Sequence, residues 1–439
     1  MNTHKYFESL IESHGAGKPQ GIPSVCSAHP LVIQAAMEEA LLHDVPVLIE
    51  ATANQVNQDG GYTGMAPADF RDFVYAVAES CGFPHGRIML GGDHLGPHPW
   101  RRLSAEKAMQ KASELVKSYV LAGFSKIHLD TSMHLGDDEL GAALKDEMIA
   151  QRSVQLCGAA EREAESFGEN RPVYVVGSEV PPPGGPAAGE EEIHPTSRSA
   201  FLSAYGAYER AFEQAGLQDA FSRIVAFVVQ PGVEFTGDRV FEYSREAAGD
   251  LCSALKMVER PIVFEGHSTD YQTSHALSQL VEDGIGILKV GPGLTFALRE
   301  GLVALEAIEA ELLCGSEKAK NGFSDALEQA MLQEDKDWRA YYRGDDRSLY
   351  LQRRYSYYDR ARYYLGKPPV KASIEALLNN LEQTDLPEQM LSQYLPLAYR
   401  KLRAGEIKAE PREILLAHIR AVLANYHAAA KAEKSFFTG

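Results

Sequence analysis

Short runs rich in apolar and β-branched residues recur along the first two-thirds of the chain. They are Gly21–Ser27, Val45–Ala51, Arg87–Asp93, Lys126–Asp130, Val173–Val180, Arg223–Gln230, Pro261–His267 and Gly286–Gly291. They are near-continuous rather than alternating, the pattern of parallel strands covered on both faces. Between them lie segments of helical pattern, among them Pro30–Leu42, Pro67–Ser80, Ser104–Ala122, Ser197–Ala215, Arg239–Val258, Asp270–Glu282 and Thr295–Leu313. Several open with Ser, Thr, Asp or Pro, as helix starts do. Eight strands alternating with helices predict an α/β fold of the (β/α)8, or TIM, barrel type. A doubly wound open sheet is the competing arrangement. It would carry a glycine-rich dinucleotide turn after an early strand, whereas the first strand here ends in Cys-Ser-Ala-His.

The pattern changes near residue 315, which predicts a barrel over 1–315 and a helical C-terminal extension over 316–439. In the extension Gly322–Gln333, Asp335–Tyr342, Val370–Thr384, Glu388–Arg403 and Pro411–Ala432 read as helices. Between them runs an arginine- and tyrosine-rich stretch, Arg339 to Tyr364. Most of it reads as a solvated helix face with packed tyrosines. The cluster Arg353, Arg354, Arg360 and Arg362 also suits a bound phosphate or carboxylate, and Arg354 and Arg360 are the expected contacts.

In barrels of this type the active site lies at the carboxyl ends of the strands. Polar residues collect there in this chain: Ser27 and His29; Glu50, Asn54 and Gln55; Asp93 and His94; Asp130 and Ser132; Glu179; Gln230 and Glu234; Glu265, His267 and Ser268. A single strand-end acid is ordinarily a helix cap, and Asp93-His94 alone reads as well as a capped turn with a packed histidine. Such residues at nearly every strand end go beyond capping. Two loops resemble phosphate cradles: Gly266 to Ser268 after the seventh strand, and Gly291, Gly293 and Thr295 after the eighth, leading into a helix.

The formal net charge of −18 argues against nucleic acid as the main partner. No apolar run is long enough to span a membrane, and the first residues lack the basic-then-apolar pattern of a signal peptide, so a cytoplasmic location is expected. Cys26, Cys81, Cys157, Cys252 and Cys314 are widely spaced and read as reduced, buried thiols, with Cys26 a weak candidate nucleophile.

With these residues in hand, the chain resembles the class II aldolase superfamily and, within it, the GatZ/KbaZ family. The resemblance rests on CSAHPLVI, IEATANQVNQDGGYTGM, GGDHLGP, GFSKIHLDTSM, GSEVPPPGG, VVQPGVEF, EGHSTDYQT, LKVGPGLTFALREG and RYS-x-x-DR-x-RYY. It implies proton transfer by Asp93, with Asp130 and Glu179 at matching acidic positions. It implies a divalent metal (Zn, Mn or Mg) at His94, with Glu265 and His267 standing where aldolases carry a further histidine. Gly266, Ser268 and the Gly291–Thr295 loop match the family's phosphate loops, and Ser27, Glu50 and Asn54 complete the expected substrate contacts. After the sixth strand Gln230, Pro231 and Gly232, with Glu234 nearby, replace an aldolase histidine, so the metal site is altered. The implied function is a ketohexose-6-phosphate 4-epimerase acting on D-tagatose 6-phosphate and D-fructose 6-phosphate by retro-aldol chemistry. The competing implication is a non-catalytic accessory subunit of a tagatose-bisphosphate aldolase; a homo-oligomer is also compatible. A kinase, the family's older label, is disfavoured because no G-x-x-x-x-G-K-S/T loop is present.

Overall fold

Each predicted apolar run becomes a strand of one closed parallel barrel. The computed structural model describes residues 2–139, 143–177, 193–314 and 322–431. The strands are β1 (Ile22–Cys26), β2 (Val47–Thr52), β3 (Ile88–Leu95), β4 (Lys126–Leu129), β5 (Val173–Gly177), β6 (Ile224–Val229), β7 (Val263–Gly266) and β8 (Ile285–Val290). Each pairs with its neighbour in sequence, and β8 closes on β1 from Ile22↔Ile287 to Val25↔Val290. A two-strand hairpin, Glu234–Phe235 with Val240–Phe241, follows β6.

Around the barrel lie α1 (Thr3–Gly15), α2 (Pro30–His43), α3 (Pro67–Cys81), α4 (Ala105–Leu121), α5 (Asp146–Ala164), α6 (Arg198–Gln214), α7 (Gln218–Ser222), α8 (Arg245–Ser253), α9 (Ser274–Glu282) and α10 (Pro292–Leu312). The later part of the chain adds α11 (Phe323–Gln333), α12 (Asp346–Tyr355), α13 (Pro368–Glu382), α14 (Glu388–Tyr394), α15 (Pro396–Arg403) and α16 (Pro411–Ala430). Helix α16 packs against α2, α9 and α10 and touches β1. The last long helix thus sits in the outer ring of the barrel.

Several predicted boundaries move, each for a local reason. The helix expected over Arg239–Val258 starts only at Arg245, because Ser244 accepts a hydrogen bond from the Ala247 N–H and caps it there. Asp270 does not open a helix; α9 begins at Ser274 with Thr273 as its N-cap. The helix expected over Glu388–Arg403 splits at Pro396, which has no N–H to continue it. The helix expected over Asp335–Tyr342 is one 3₁₀ turn followed by turns. Helices α1, α5, α7 and α12 are additional to the predicted set.

The barrel interior has two levels. At the amino-terminal end Tyr6, Phe7, Leu10 and Ile11 of α1 pack on Ile22, Leu48, Met89, Val173 and Ile287. Each such side chain, fully buried, contributes on the order of 1.5–3 kcal/mol. Two residues beyond Leu48, Val263 and Ile287 the inward positions become Glu50, Glu265 and Lys289, because side chains along a strand alternate faces, and Lys126 at the start of β4 joins them. All four are buried. Lys126 Nζ lies 2.6 Å from Glu50 and 2.7 Å from Glu265. Lys289 Nζ bonds the other Glu50 oxygen. Gly91 makes room for this layer: a Cβ there would fall 2.5 Å from Glu50 Oε1.

Candidate active site at the barrel mouth

Above the ion-paired layer, β3 departs from regular pairing. Its register with β4 shifts between Gly92 and Leu95. A bulge of this kind re-aims side chains, and Asp93 and His94 sit within it. His94 has φ +47°, a left-handed conformation that a non-glycine residue holds only under constraint. Gly96 closes the bulge against β4, where a Cβ would collide with the Asp130 carbonyl. The sequence Gly-Gly-Asp-His-Leu-Gly is thus a strand end with glycines wherever a neighbour comes too close for a side chain.

Asp93 is 2 % exposed and its two oxygens face different ways. Oδ1 lies 3.0 Å from His128 Nδ1. Oδ2 lies 2.9 Å from Lys289 Nζ and 3.9 Å from both His94 Nε2 and Cys26 Sγ. Burial raises the Asp93 carboxyl, but His94 and Lys289 together hold it well below the usual carboxylate range. His94 Nδ1 is 2.9 Å from Asp130 Oδ2. Burial lowers the His94 pKa, and Asp93 and Asp130 outweigh burial and raise it. The rings of His94, His128 and His267 lie 4.7 to 5.4 Å apart.

Four donor atoms converge at this level, from Asp93, His128, Glu265 and His267, all within 4.8 Å of one another. The lysines take Asp93 Oδ2 and Glu265 Oε2, which leaves Asp93 Oδ1 facing His128 and Glu265 Oε1 facing His267 Nε2 at 2.9 Å. His128 Nε2 points at the Gly177 carbonyl, 3.0 Å away. That contact matches a proton on Nε2, which leaves Nδ1 to accept from the His94 N–H at 3.2 Å on the side that faces Asp93. Burial pushes the His267 pKa down to about 4, so its ring is neutral near pH 7. Two imidazoles and two carboxylates fit a divalent cation of mixed N/O preference. His94, expected as a ligand, lies beside this set, its Nδ1 bonded to Asp130; His128 occupies the converging position.

The site opens into a cavity of ≈ 270 Å³ lined by Asp93, His94, Asp130, His267, Ser268, Asp270 and Lys289 from the barrel and by Tyr341, Tyr358, Arg360, Arg362 and Tyr363 from the C-terminal extension. The extension is pinned to the barrel by Asp359. Its carboxylate accepts from Thr295 Oγ1 at 2.6 Å and from Arg299 Nε at 3.0 Å. Arg360 is sandwiched between Tyr341 and Tyr363, and its Nε donates to the Asp337 carbonyl at 2.6 Å. Arg362 donates to the Tyr358 and Asp359 carbonyls and to the Tyr363 hydroxyl.

Several expected contacts have other partners. Ser27 Oγ accepts from the His29 N–H and shapes the turn into α2. Glu50 lies beneath the cavity in the ion-paired layer, and Gly266 packs in β7 beside Ile285. The Gly291 and Gly293 N–H groups donate to Asp270, and the Thr295 hydroxyl donates to Asp359. Arg354 stacks on Tyr350 and faces Asp325, away from the cavity. Arg353 pairs with Glu328. Asn54, Asp93, Asp130, Ser268 and Arg360 do line the cavity; Glu179 lies outside the described residues. The cysteines are free, but Cys157 alone is fully buried and Cys314 is exposed. Cys26 lines the cavity, and burial raises its thiol, which suits no nucleophile. Lys126, His128, Lys289 and Asp270 were not among the expected site residues, and Arg362 was expected only as one of the four clustered arginines. The signal for Lys126, His128 and Lys289 was their alternate spacing inside strands.

The sequence pattern of the D-tagatose-1,6-bisphosphate aldolase subunit GatZ/KbaZ-like family matches residues 7–431. The crystal structure of a probable tagatose 6 phosphate kinase from Sinorhizobium meliloti 1021 is 45 % identical, covers 93 % of this chain and 100 % of its own, and superposes with a TM-score of 0.86. A fructose-bisphosphate aldolase from Campylobacter jejuni is 14 % identical, with 87 % of this chain and 93 % of its own covered and a TM-score of 0.45. The YdjI aldolase from Escherichia coli K12 is 11 % identical, with 85 % and 96 % covered and a TM-score of 0.38. The last two are too distant to inform the site.

Proposed function

The chain belongs to the D-tagatose-1,6-bisphosphate aldolase subunit GatZ/KbaZ-like family, and from that premise we propose that it is a ketohexose-6-phosphate 4-epimerase interconverting D-tagatose 6-phosphate and D-fructose 6-phosphate. One observation carries the reading: a single cavity brings the proton-transfer groups Asp93, His94 and Asp130 together with the arginines Arg360 and Arg362.

The C4 hydrogen of a 2-ketose is not next to the carbonyl, so its direct removal is difficult. Inversion through the C3–C4 bond avoids that step. Asp93, ionised at neutral pH, accepts the C4 hydroxyl proton through Oδ2, the oxygen turned toward the cavity-lining Lys289, His94 and Cys26. The C3–C4 electron pair passes to the C2 carbonyl oxygen and C4 becomes an aldehyde. The aldehyde presents its other face, the bond re-forms, and Asp93 returns the proton. Lys289 and His94 stabilise the negative charge formed on the way. A divalent ion (Zn, Mn or Mg), held by His128, Glu265 and His267 with Asp93 Oδ1, would supply polarisation of the C2 carbonyl. Arg360 and Arg362 hold the phosphate, so the cleaved fragment stays in place long enough to turn.

The family description, an aldolase subunit, favours a second reading in which the chain stabilises a separate class II aldolase. The deciding experiment uses the purified chain alone, first stripped by chelator and then given Zn, Mn or Mg, with tagatose 6-phosphate followed by NMR. Fructose 6-phosphate that appears only with metal supports the epimerase. Triose products alone identify an aldolase that releases its fragment. No turnover with any metal, together with stabilisation of an added class II aldolase, sinks the catalytic reading.

A further inference from the structure

The glycine loop after β8 has the form of a phosphate cradle, but its donors are already committed. The Gly291 and Gly293 N–H groups both donate to Oδ1 of Asp270, at 2.9 and 2.7 Å. Asp270 is 3 % exposed and lines the cavity beside Gly291 and Pro292. It reaches this position because the chain after β7 turns back sharply: Ser268 and Tyr271 have φ +51° and +64°. Non-glycine residues adopt such angles only where their surroundings fix them. The fixing contacts are present. Thr269 Oγ1 donates to the Lys289 carbonyl at 2.5 Å. The Tyr426 hydroxyl of α16 donates to the Thr269 carbonyl at 2.7 Å, and the Tyr271 hydroxyl donates to the Tyr357 carbonyl at 2.8 Å. The strand β8, the arginine- and tyrosine-rich stretch and α16 therefore together hold one carboxylate over the loop.

Two converging N–H groups at the start of a long helix are what a phosphate oxygen would otherwise receive. With Asp270 in place those donors are used, and an incoming phosphate would meet a fixed negative charge instead. Of the cationic groups on the cavity wall, Lys289 is held by Glu50 and Asp93, and the His94 ring by Asp130. The anion-binding capacity that remains is that of Arg360 and Arg362.

We propose that Asp270 is a built-in substitute for one phosphate, so that the pocket accepts a sugar carrying a single phosphate, held by Arg360 and Arg362, and rejects a sugar bisphosphate. The choice of ligand rests on the sugar-phosphate reading above; the preference itself does not depend on epimerisation.

Calorimetric titration at pH 7.5 with fructose 6-phosphate and fructose 1,6-bisphosphate tests this on the full chain and on Asp270→Ser and Asp270→Asn. The wild type is expected to bind the monophosphate at least about tenfold more tightly. Asp270→Ser, which frees both N–H groups, should shift that ratio toward the bisphosphate by about tenfold or more. Asp270→Asn keeps an acceptor for the N–H groups without the charge and should fall between. Equal or tighter bisphosphate binding by the wild type overturns the inference, as does a folded Asp270→Ser with an unchanged ratio. If Asp270→Ser does not fold, ³¹P NMR of inorganic phosphate decides on the wild type: one saturable equivalent is expected and two overturn the inference. Turnover without a monophosphate preference removes this inference alone. A preference without turnover removes the epimerase reading alone.

Discussion

At the amino-terminal end of the barrel, α1 closes over Ile22, Leu48, Val173 and Ile287; further along, the barrel interior presents Glu50, Asp93, Lys126, His128, Glu265 and Lys289. Leu48 and Glu50 are two residues apart, as are Ile287 and Lys289, and each pair lies on one face of its strand. The apolar end gains stability from every group it buries. The polar end buries charges whose desolvation costs several kcal/mol per ion before pairing offsets it. Its ion pairs hold the reactive groups in position more than they stabilise the fold, as strained and buried-charge sites commonly do.

The sharpest way to break this contrast is at Asp93. Asp93→Asn keeps the shape and removes the charge that faces Lys289 and His128. On the epimerase reading kcat for tagatose 6-phosphate should fall by about 10³, within the range ascribed to a lost acid–base group. A variant that melts like the wild type and keeps a tenth of its turnover would exclude Asp93 as the proton carrier.

One substitution at each level compares the two ends directly. Phe7→Ala in α1 opens a cavity and should cost about 3–5 kcal/mol. Lys126→Met leaves Glu50 and Glu265 short of a partner and should cost a similar amount, about 3–5 kcal/mol. Acid separates them. As pH falls, the Lys126→Met deficit should shrink, because Glu265 can then take up a proton once its lysine is gone; the Phe7→Ala deficit should not. Phe7→Ala should also leave KM unchanged below its melting temperature. Urea denaturation from pH 4 to pH 8 gives both curves, and parallel curves would mean that the charged layer behaves as ordinary packing.

Glu234 sharpens the same point beside the cavity. It is 1 % exposed, its Oε1 accepts from the Phe235 N–H at 2.9 Å, and burial pushes its pKa up to about 7. A carboxyl raised in the folded state contributes stability that is present in full below about pH 4.5 and is lost as pH rises through about 7. Glu234→Gln, neutral at every pH, should therefore be more stable than the wild type at pH 8 by up to about 3 kcal/mol, with the gain vanishing near pH 4. A pH-independent difference would mean that Glu234 stays ionised.

The barrel was legible because parallel strands covered on both faces are long apolar runs between helix starts. The strand-end acids were legible for a related reason: only the carboxyl ends open to a cavity in this fold. What escaped was chemistry inside the runs. Lys126 and His128 in Lys-Ile-His-Leu are spaced by two, and so face the barrel axis together, yet the run passes for apolar if only its ends are inspected. Asp270 was lost differently. Its position before a helical pattern suggested a cap, and nothing local indicates that its carboxylate folds back onto Gly291, about twenty residues on. The arginines behaved likewise. Four in one stretch look equivalent, and tertiary packing divides them, with Arg353 and Arg354 turned away and Arg360 and Arg362 turned inward.

That division supplies the smallest of these tests. Arg360→Ala removes one guanidinium from the cavity wall, and its stacking between Tyr341 and Tyr363 goes with it. Arg354→Ala removes an equal charge six residues earlier, on the side facing Asp325. If the inward pair holds the substrate's anion, Arg360→Ala should raise KM about tenfold, about 1.4 kcal/mol, with a smaller change in kcat. Arg354→Ala should leave KM within twofold or so, since an exposed ion pair contributes at most about 1 kcal/mol, and to stability rather than binding. Arg360→Lys separates charge from shape: an ammonium keeps the charge but not the planar fork, so partial recovery of KM would assign the effect to anion binding. No recovery, with a lowered melting temperature, would assign it to the tyrosine sandwich. Equal effects at Arg354 and Arg360 would mean that the field of the whole arginine stretch, rather than the two inward side chains, attracts the substrate.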